Sequence, residues 1–146
     1  MEKLSVADQD LVHRAREVMK NAYCPYSKFQ VGAALRTQSG EVIVGANHEN
    51  ASYGGTICAE RSAVVSALTQ GHRKFDAIAI VTALDDPAAP CGLCRQFLVE
   101  FGNYKVILGS STSNKIFESQ VKDLLPYAFT PASLDDYNQQ STAAQK

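Results

Sequence analysis

Two short words in this chain, Cys58-Ala59-Glu60 and Pro90-Cys91-Gly92-Leu93-Cys94, together carry three thiols and a carboxylate. They constrain the fold more than anything else, because a metal site can use them only if both words meet at one point. Zinc prefers four tetrahedral ligands; structural sites draw all four from the protein, whereas catalytic sites leave one for water. Cys91 and Cys94, at positions i and i+3, share one face of a helix. Cys58 and Glu60 fall in the first turns of another helix, with Thr56 as its expected N-cap. Positive potential at that helix start favours thiolate over thiol at Cys58. The fourth cysteine, Cys24, lies far away in Tyr23-Cys24-Pro25-Tyr26. Two readings follow. In one, Cys58, Cys91 and Cys94 hold one zinc per subunit in an open hydrolytic site, with Glu60 as a proton carrier. In the other, Cys24 closes the site and the metal only holds the fold, which leaves Glu60 without a purpose.

The rest of the chain supplies helices and strands to carry these words. Ser5, with Asp8 three residues on, reads as a capping box. Leu11, Val12, Ala15, Val18, Met19 and Ala22 then recur at helical spacing up to Pro25. Phe29, Val31, Ala33 and Leu35 alternate as a strand with one core face, and Gln38-Ser39-Gly40 turns the chain into a second strand at Glu41 to Gly45. Asn47 to Gly55 is polar and irregular. The Cys58 helix is expected to run to about Leu68 and stop at Gly71. Phe75 to Val81, nearly continuous in apolar residues, reads as a buried central strand. A helix between strands is the pattern of a crossover with parallel pairing.

Beyond the Cys91 helix, Lys105 to Leu108 and Lys115 to Phe117 read as two more strands. Ser119 is an expected cap for a brief helix through Leu125, and Pro131 to Tyr137 as a last turn or two. Residues 139–146 read as a frayed tail. The expected architecture is one domain over 1–146: a three-layer α/β/α fold, with a mixed sheet of about five strands and helices on both faces.

Composition narrows the partners. With 45% apolar and 20% charged residues the chain has the makeup of a globular protein, and its formal charge of −1 lacks the basic excess of a nucleic-acid platform. Its apolar runs are too short to span a bilayer. Met1-Glu2-Lys3-Leu4 leads into charged sequence with no apolar signal core. A close Cys91–Cys94 pair without a secretion signal points to metal binding rather than disulfides. A cytosolic location, a small-molecule substrate, no nucleic acid and no membrane are therefore expected.

Cys-Ala-Glu followed by Pro-Cys-x-x-Cys resembles the signature of the cytidine deaminase superfamily. Tyr23-Cys24-Pro25-Tyr26-Ser27, Val31-Gly32-Ala33-Ala34-Leu35, Asn47-His48-Glu49-Asn50-Ala51, Cys58-Ala59-Glu60-Arg61-Ser62-Ala63, Cys91-Gly92-Leu93-Cys94-Arg95-Gln96 and Leu124-Leu125-Pro126 narrow the likeness. In that order they are similar to the small deaminases of free nucleosides, from about Ala7 to Leu134. The resemblance implies hydrolysis of cytidine and deoxycytidine to uridine and deoxyuridine with release of ammonia, in pyrimidine salvage. It places Asn47 and Glu49 on the ribose hydroxyls, the Ala59 backbone at the pyrimidine carbonyl and Phe29 near the ring. It gives Arg61 the task of donating hydrogen bonds to ligand sulfurs, which withdraws charge from the metal. It also implies a homotetramer whose pockets borrow Ala51, Tyr53 and Phe129 from neighbouring subunits.

Two positions depart from the pattern. His48 stands where an aliphatic residue is usual, and Ala89 replaces a Ser or Thr before Pro-Cys, where only a backbone carbonyl is needed. A polynucleotide-directed or antibiotic-directed deaminase is the remaining alternative within the chemistry, alongside the non-catalytic zinc module.

Overall fold

In the computed structural model, which describes residues 1–144, the chain forms a five-stranded sheet in the order β2-β1-β3-β4-β5. The strands are β1 (Val31–Thr37), β2 (Val42–Ala46), β3 (Phe75–Thr82), β4 (Lys105–Ser110) and β5 (Phe117–Gln120). The helices are α1 (Val6–Val18), α2 (Ala59–Thr69), α3 (Gly92–Val99), α4 (Val121–Leu124) and α5 (Pro131–Ala144). The sheet is mixed: β3 and β4 pair in parallel, and every other pairing is antiparallel. No described helix is long and apolar enough to cross a membrane.

The expected layers are present, with one refinement. β1 is buried on both faces, not one. Ala33 and Leu35 join Ala63, Val64 and Ala67 of α2 on one side, while Ala34 joins Leu11, Val12 and Ala15 of α1 on the other. Sheets covered on both faces lose the simple alternation of a half-exposed strand. The crossover expectation also divides. α3 joins neighbouring parallel strands, whereas α2 joins β2 and β3, which run the same way but have β1 inserted between them.

α1 begins where its cap predicts, the Asp8 N–H donating to Ser5 Oγ at 3.1 Å. The Asp8 carboxylate does not complete a capping box. Only 3% exposed, it accepts from Arg36 Nη2 and Lys105 Nζ, both at 2.9 Å. Burial alone would raise this carboxyl, but the hydrogen bonds from Lys105 and Arg36 outweigh it and hold the group below its usual range. The resulting tie between α1 and the sheet is present at neutral pH and is lost as pH falls through that depressed value.

Four boundaries differ from the sequence expectation. The second helix is capped by Cys58, not Thr56, because Ile57 exchanges backbone hydrogen bonds with His48 at 2.9 Å each way and stays extended. Thr56 instead closes a 3₁₀ turn at Tyr53–Gly55. β5 starts at Phe117, since the preceding loop is tied off by Lys115 Nζ donating to Asp86 at 2.6 Å. Ser119 lies within that strand, paired with Val106, and caps nothing. α5 runs well past Tyr137, with Pro131 at its first position and the Thr130 N–H donating to Ser133 Oγ at 3.2 Å. Of the expected frayed tail, residues 139–144 are therefore helical and 145–146 lie outside the described residues.

Two glycines set the placement of α2. At Gly45 a Cβ would lie 2.4 Å from the Ala63 nitrogen and 2.8 Å from the Ala59 oxygen. Only a bare backbone lets β2 approach the helix that closely. Gly71, at φ +95°, ends the helix in the left-handed region, as its sequence position predicts.

Candidate metal centre and pocket

α2 and α3 both start with a cysteine in extended backbone, Cys58 and Cys91, and neither helix start uses a side-chain cap. The unpaired N–H groups of two helix ends therefore face one region, whose positive potential stabilises anionic sulfur. Cys94, one turn into α3, completes the group. The three sulfurs lie within 4.8 Å of one another, and Cys58 Sγ and Cys91 Sγ are 4.0 Å apart. Tetrahedral zinc at about 2.3 Å from each sulfur needs sulfurs roughly 3.8 Å apart, so this donor set fits zinc with a fourth position open. Cys24 is a free, partly buried thiol outside the cluster. The closed four-cysteine alternative thus has no geometric support.

The protein's own groups favour thiolate at Cys58 first. The neighbouring Cys94 thiol, followed by the Arg61 guanidinium, lowers the Cys58 thiol to about 5 despite partial burial. Cys58 in turn, together with burial, pushes Cys94 up. Arg61 Nη2 donates to Cys58 Sγ at 3.5 Å, the contact expected of a residue that withdraws charge from a thiolate.

Glu60, in the first turn of α2, is 4% exposed. Burial pushes its carboxyl up, and the neighbouring Cys58 thiolate acts in the same direction. A buried carboxylate with raised proton affinity beside a metal site is suited to accept and return protons.

The cluster opens into a pocket of about 330 Å³ lined by Phe29, Asn47, Glu49, Cys58, Ala59, Glu60 and Cys91, among others. Asn47 is fixed from both ends: its Oδ1 accepts from the Val31 N–H at 2.9 Å, and its Nδ2 donates to the Phe29 carbonyl at 2.8 Å. Glu49 Oε1 accepts from the N–H groups of Tyr26 and Ser27 at 3.0 and 3.1 Å. The Ser27 side chain, followed by these backbone N–H groups, holds the Glu49 carboxyl below its usual range.

Ala51, Tyr53 and Phe129 lie outside this pocket; Tyr53 is 76% and Phe129 60% exposed. The lining includes residues that sequence reasoning did not assign, chiefly Thr56, Ile80, Thr82 and Pro90. Ile80 and Thr82 carry a usable signal, since ligands in open α/β sheets gather at the carboxyl ends of strands.

A three-sulfur metal centre beside a buried carboxylate, at the start of two helices on a mixed sheet, defines a metal-dependent hydrolytic site. The family model described as the cytidine and deoxycytidylate deaminase zinc-binding region matches residues 5–110. A cytidine deaminase from Halalkalibacterium halodurans is 48% identical over 130 residues, covering 88% of this chain and 98% of that relative. A probable cytidine deaminase from Dictyostelium discoideum is 42% identical over 124 residues, 84% of each chain. The crystal structure of cytidine deaminase from Burkholderia pseudomallei superposes with a TM-score of 0.81 at 44% identity, covering 86% of this chain and 100% of that one. This chain belongs to the cytidine and deoxycytidylate deaminase family, and its cysteine cluster is a zinc site.

Proposed function

We propose that this chain, as one domain, hydrolyses cytidine and 2′-deoxycytidine to uridine and 2′-deoxyuridine with release of ammonia. The observation that carries the reading is Glu60, buried at the pocket floor beside three converging thiols. Zinc, when bound by Cys58, Cys91 and Cys94, supplies an acidified water as nucleophile. Glu60 accepts the proton of the attacking water and delivers it to ring N3. Glu60 then takes the proton of the new C4 hydroxyl and passes it to the amine as the C4–N bond breaks, which forms the C4 carbonyl, releases ammonia and restores the carboxylate. Arg61 holds electron density on Cys58 away from the metal. The Ala59 backbone meets the pyrimidine carbonyl, and Phe29 covers the ring.

Asn47 and Glu49 hold the ribose. Both are already oriented by backbone groups, and Glu49 keeps Oε2 for a sugar hydroxyl because its two described hydrogen bonds go to Oε1. Among the described residues, no Lys or Arg lines the pocket, and phosphate recognition draws on such cations. An unphosphorylated nucleoside is therefore the substrate class, and pyrimidine salvage the setting. Free thiols as ligands suit a reducing cytosol. The direct test is ammonia release from cytidine, deoxycytidine, cytosine, deoxycytidine monophosphate and adenosine. The two nucleosides are expected to be turned over and the other three to lag far behind. Preference for the monophosphate or for adenosine would reject the assignment.

The active unit in this reading is a homotetramer, because Ala51, Tyr53 and Phe129 are exposed in one chain and can complete a neighbour's pocket. Sites built at an interface gain a second wall and exclude water. Subunits carrying Glu60→Ala, reassembled with subunits carrying Phe129→Ala, are expected to form some pockets with both residues intact. Activity above that of either parent is the predicted result. No rescue despite proven subunit exchange, or a fully active monomer by light scattering, would overturn the shared pocket.

A further inference from the structure

Two adjacent side chains of the metal helix reach out of it to the same distant segment. Arg95 Nε donates to the Pro90 carbonyl at 2.7 Å, and Arg95 Nη1 donates to the Leu124 carbonyl at 2.8 Å. Gln96 Nε2 donates to the Phe129 carbonyl at 2.8 Å. Pro90 is the residue immediately before the ligand Cys91 and lines the pocket. Leu124 ends the four-residue α4, where a helix leaves carbonyls without partners. Between the two anchor points the chain passes through Tyr127, a non-glycine residue at φ +55° whose side chain is fully exposed. A residue in that region persists only where its surroundings over-determine it, and the bonds to Leu124 and Phe129 pin the two ends of the strained stretch.

We propose that Arg95 is a positioning residue: its guanidinium fork locks the turn that presents Cys91 to the base of the segment that carries Phe129. The metal ligand on one side and the exposed aromatic on the other then move as one unit. A planar fork can hold two carbonyls at fixed angles, whereas an ammonium is a point charge and does not reproduce that geometry. Gln96 fixes only the far end.

The test uses the zinc-loaded protein and two separate readouts: the rate of zinc transfer to a coloured chelator, and KM against kcat for cytidine. Groups that orient a metal ligand typically change metal affinity by about 10- to 100-fold when removed. Arg95→Ala is expected to speed zinc release by at least about 10-fold and to raise KM more than it lowers kcat. Arg95→Lys, which keeps the charge and supports the fold should the alanine variant be lost, is expected to remain fast in zinc release. Gln96→Ala is expected to raise KM while zinc release stays at the wild-type rate. Wild-type zinc release in Arg95→Ala overturns the proposal, and so does full recovery in Arg95→Lys, since charge alone would then suffice. The KM arm rests on the deaminase reading. If the wild-type protein leaves cytidine untouched, that reading fails by itself, and zinc release still decides the role of Arg95.

Discussion

Glu60→Gln is expected to retain zinc and the native fold while losing nearly all deamination. The amide has almost the volume of the carboxylate, so a side chain only 4% exposed can be replaced without opening a cavity. It cannot take up a proton from water or return one to N3. A general acid–base group contributes about 10²–10⁴-fold, and one group serving several proton transfers is expected to reach the upper end or beyond. Because the loss arises in the transition state, kcat and kcat/KM are expected to fall together. Steady-state kinetics with metal analysis on the same preparation measure both. Turnover within about 10-fold of wild type, against the 10²–10⁴-fold expected, would move the proton carrier to another residue.

The second large effect separates the four cysteines. Cys94→Ala is expected to abolish zinc retention and activity, because it removes the fully buried member of a three-sulfur set and leaves two ligands for an ion that needs at least three from the protein. Zinc bound to the folded chain stabilises it by linkage, so this variant is also expected to melt at a lower temperature than the zinc-loaded parent. Cys58→Ala and Cys91→Ala are expected to behave alike. Cys24→Ala is expected to keep one zinc per subunit and full activity, because that thiol stands outside the cluster. Metal analysis and thermal unfolding of the four variants decide the matter; zinc loss from Cys24→Ala equal to the others would contradict the open site.

The metal site was legible in the sequence because its signal is local. Cys91 and Cys94 share a helical face by spacing alone, and Ser5 and Gly71 mark helix ends through their own chemistry. β3 was legible because a strand buried on both faces is nearly continuous in apolar residues. The misplaced features depend on contacts that spacing does not encode. Thr56 looks like a cap until His48 is seen to hold Ile57 extended. Lys115 looks like strand until its ammonium is found on Asp86. Asp8 offers itself as a capping residue, yet its carboxylate joins Arg36 and Lys105, which lie on two different strands. The insertion of β1 between β2 and β3 is likewise a property of the assembled sheet, as is the reach of Arg95 to Pro90 and Leu124.

The central proposed chemistry is hydrolysis of a cytosine ring by water activated beside Glu60. It is tested most directly by running the zinc-loaded protein on cytidine in heavy-oxygen water and weighing the product. The expected product is uridine carrying one heavy oxygen at ring position 4, with one ammonia released per uridine formed. Uridine without the label, or cytidine recovered unchanged while zinc remains bound, would contradict it.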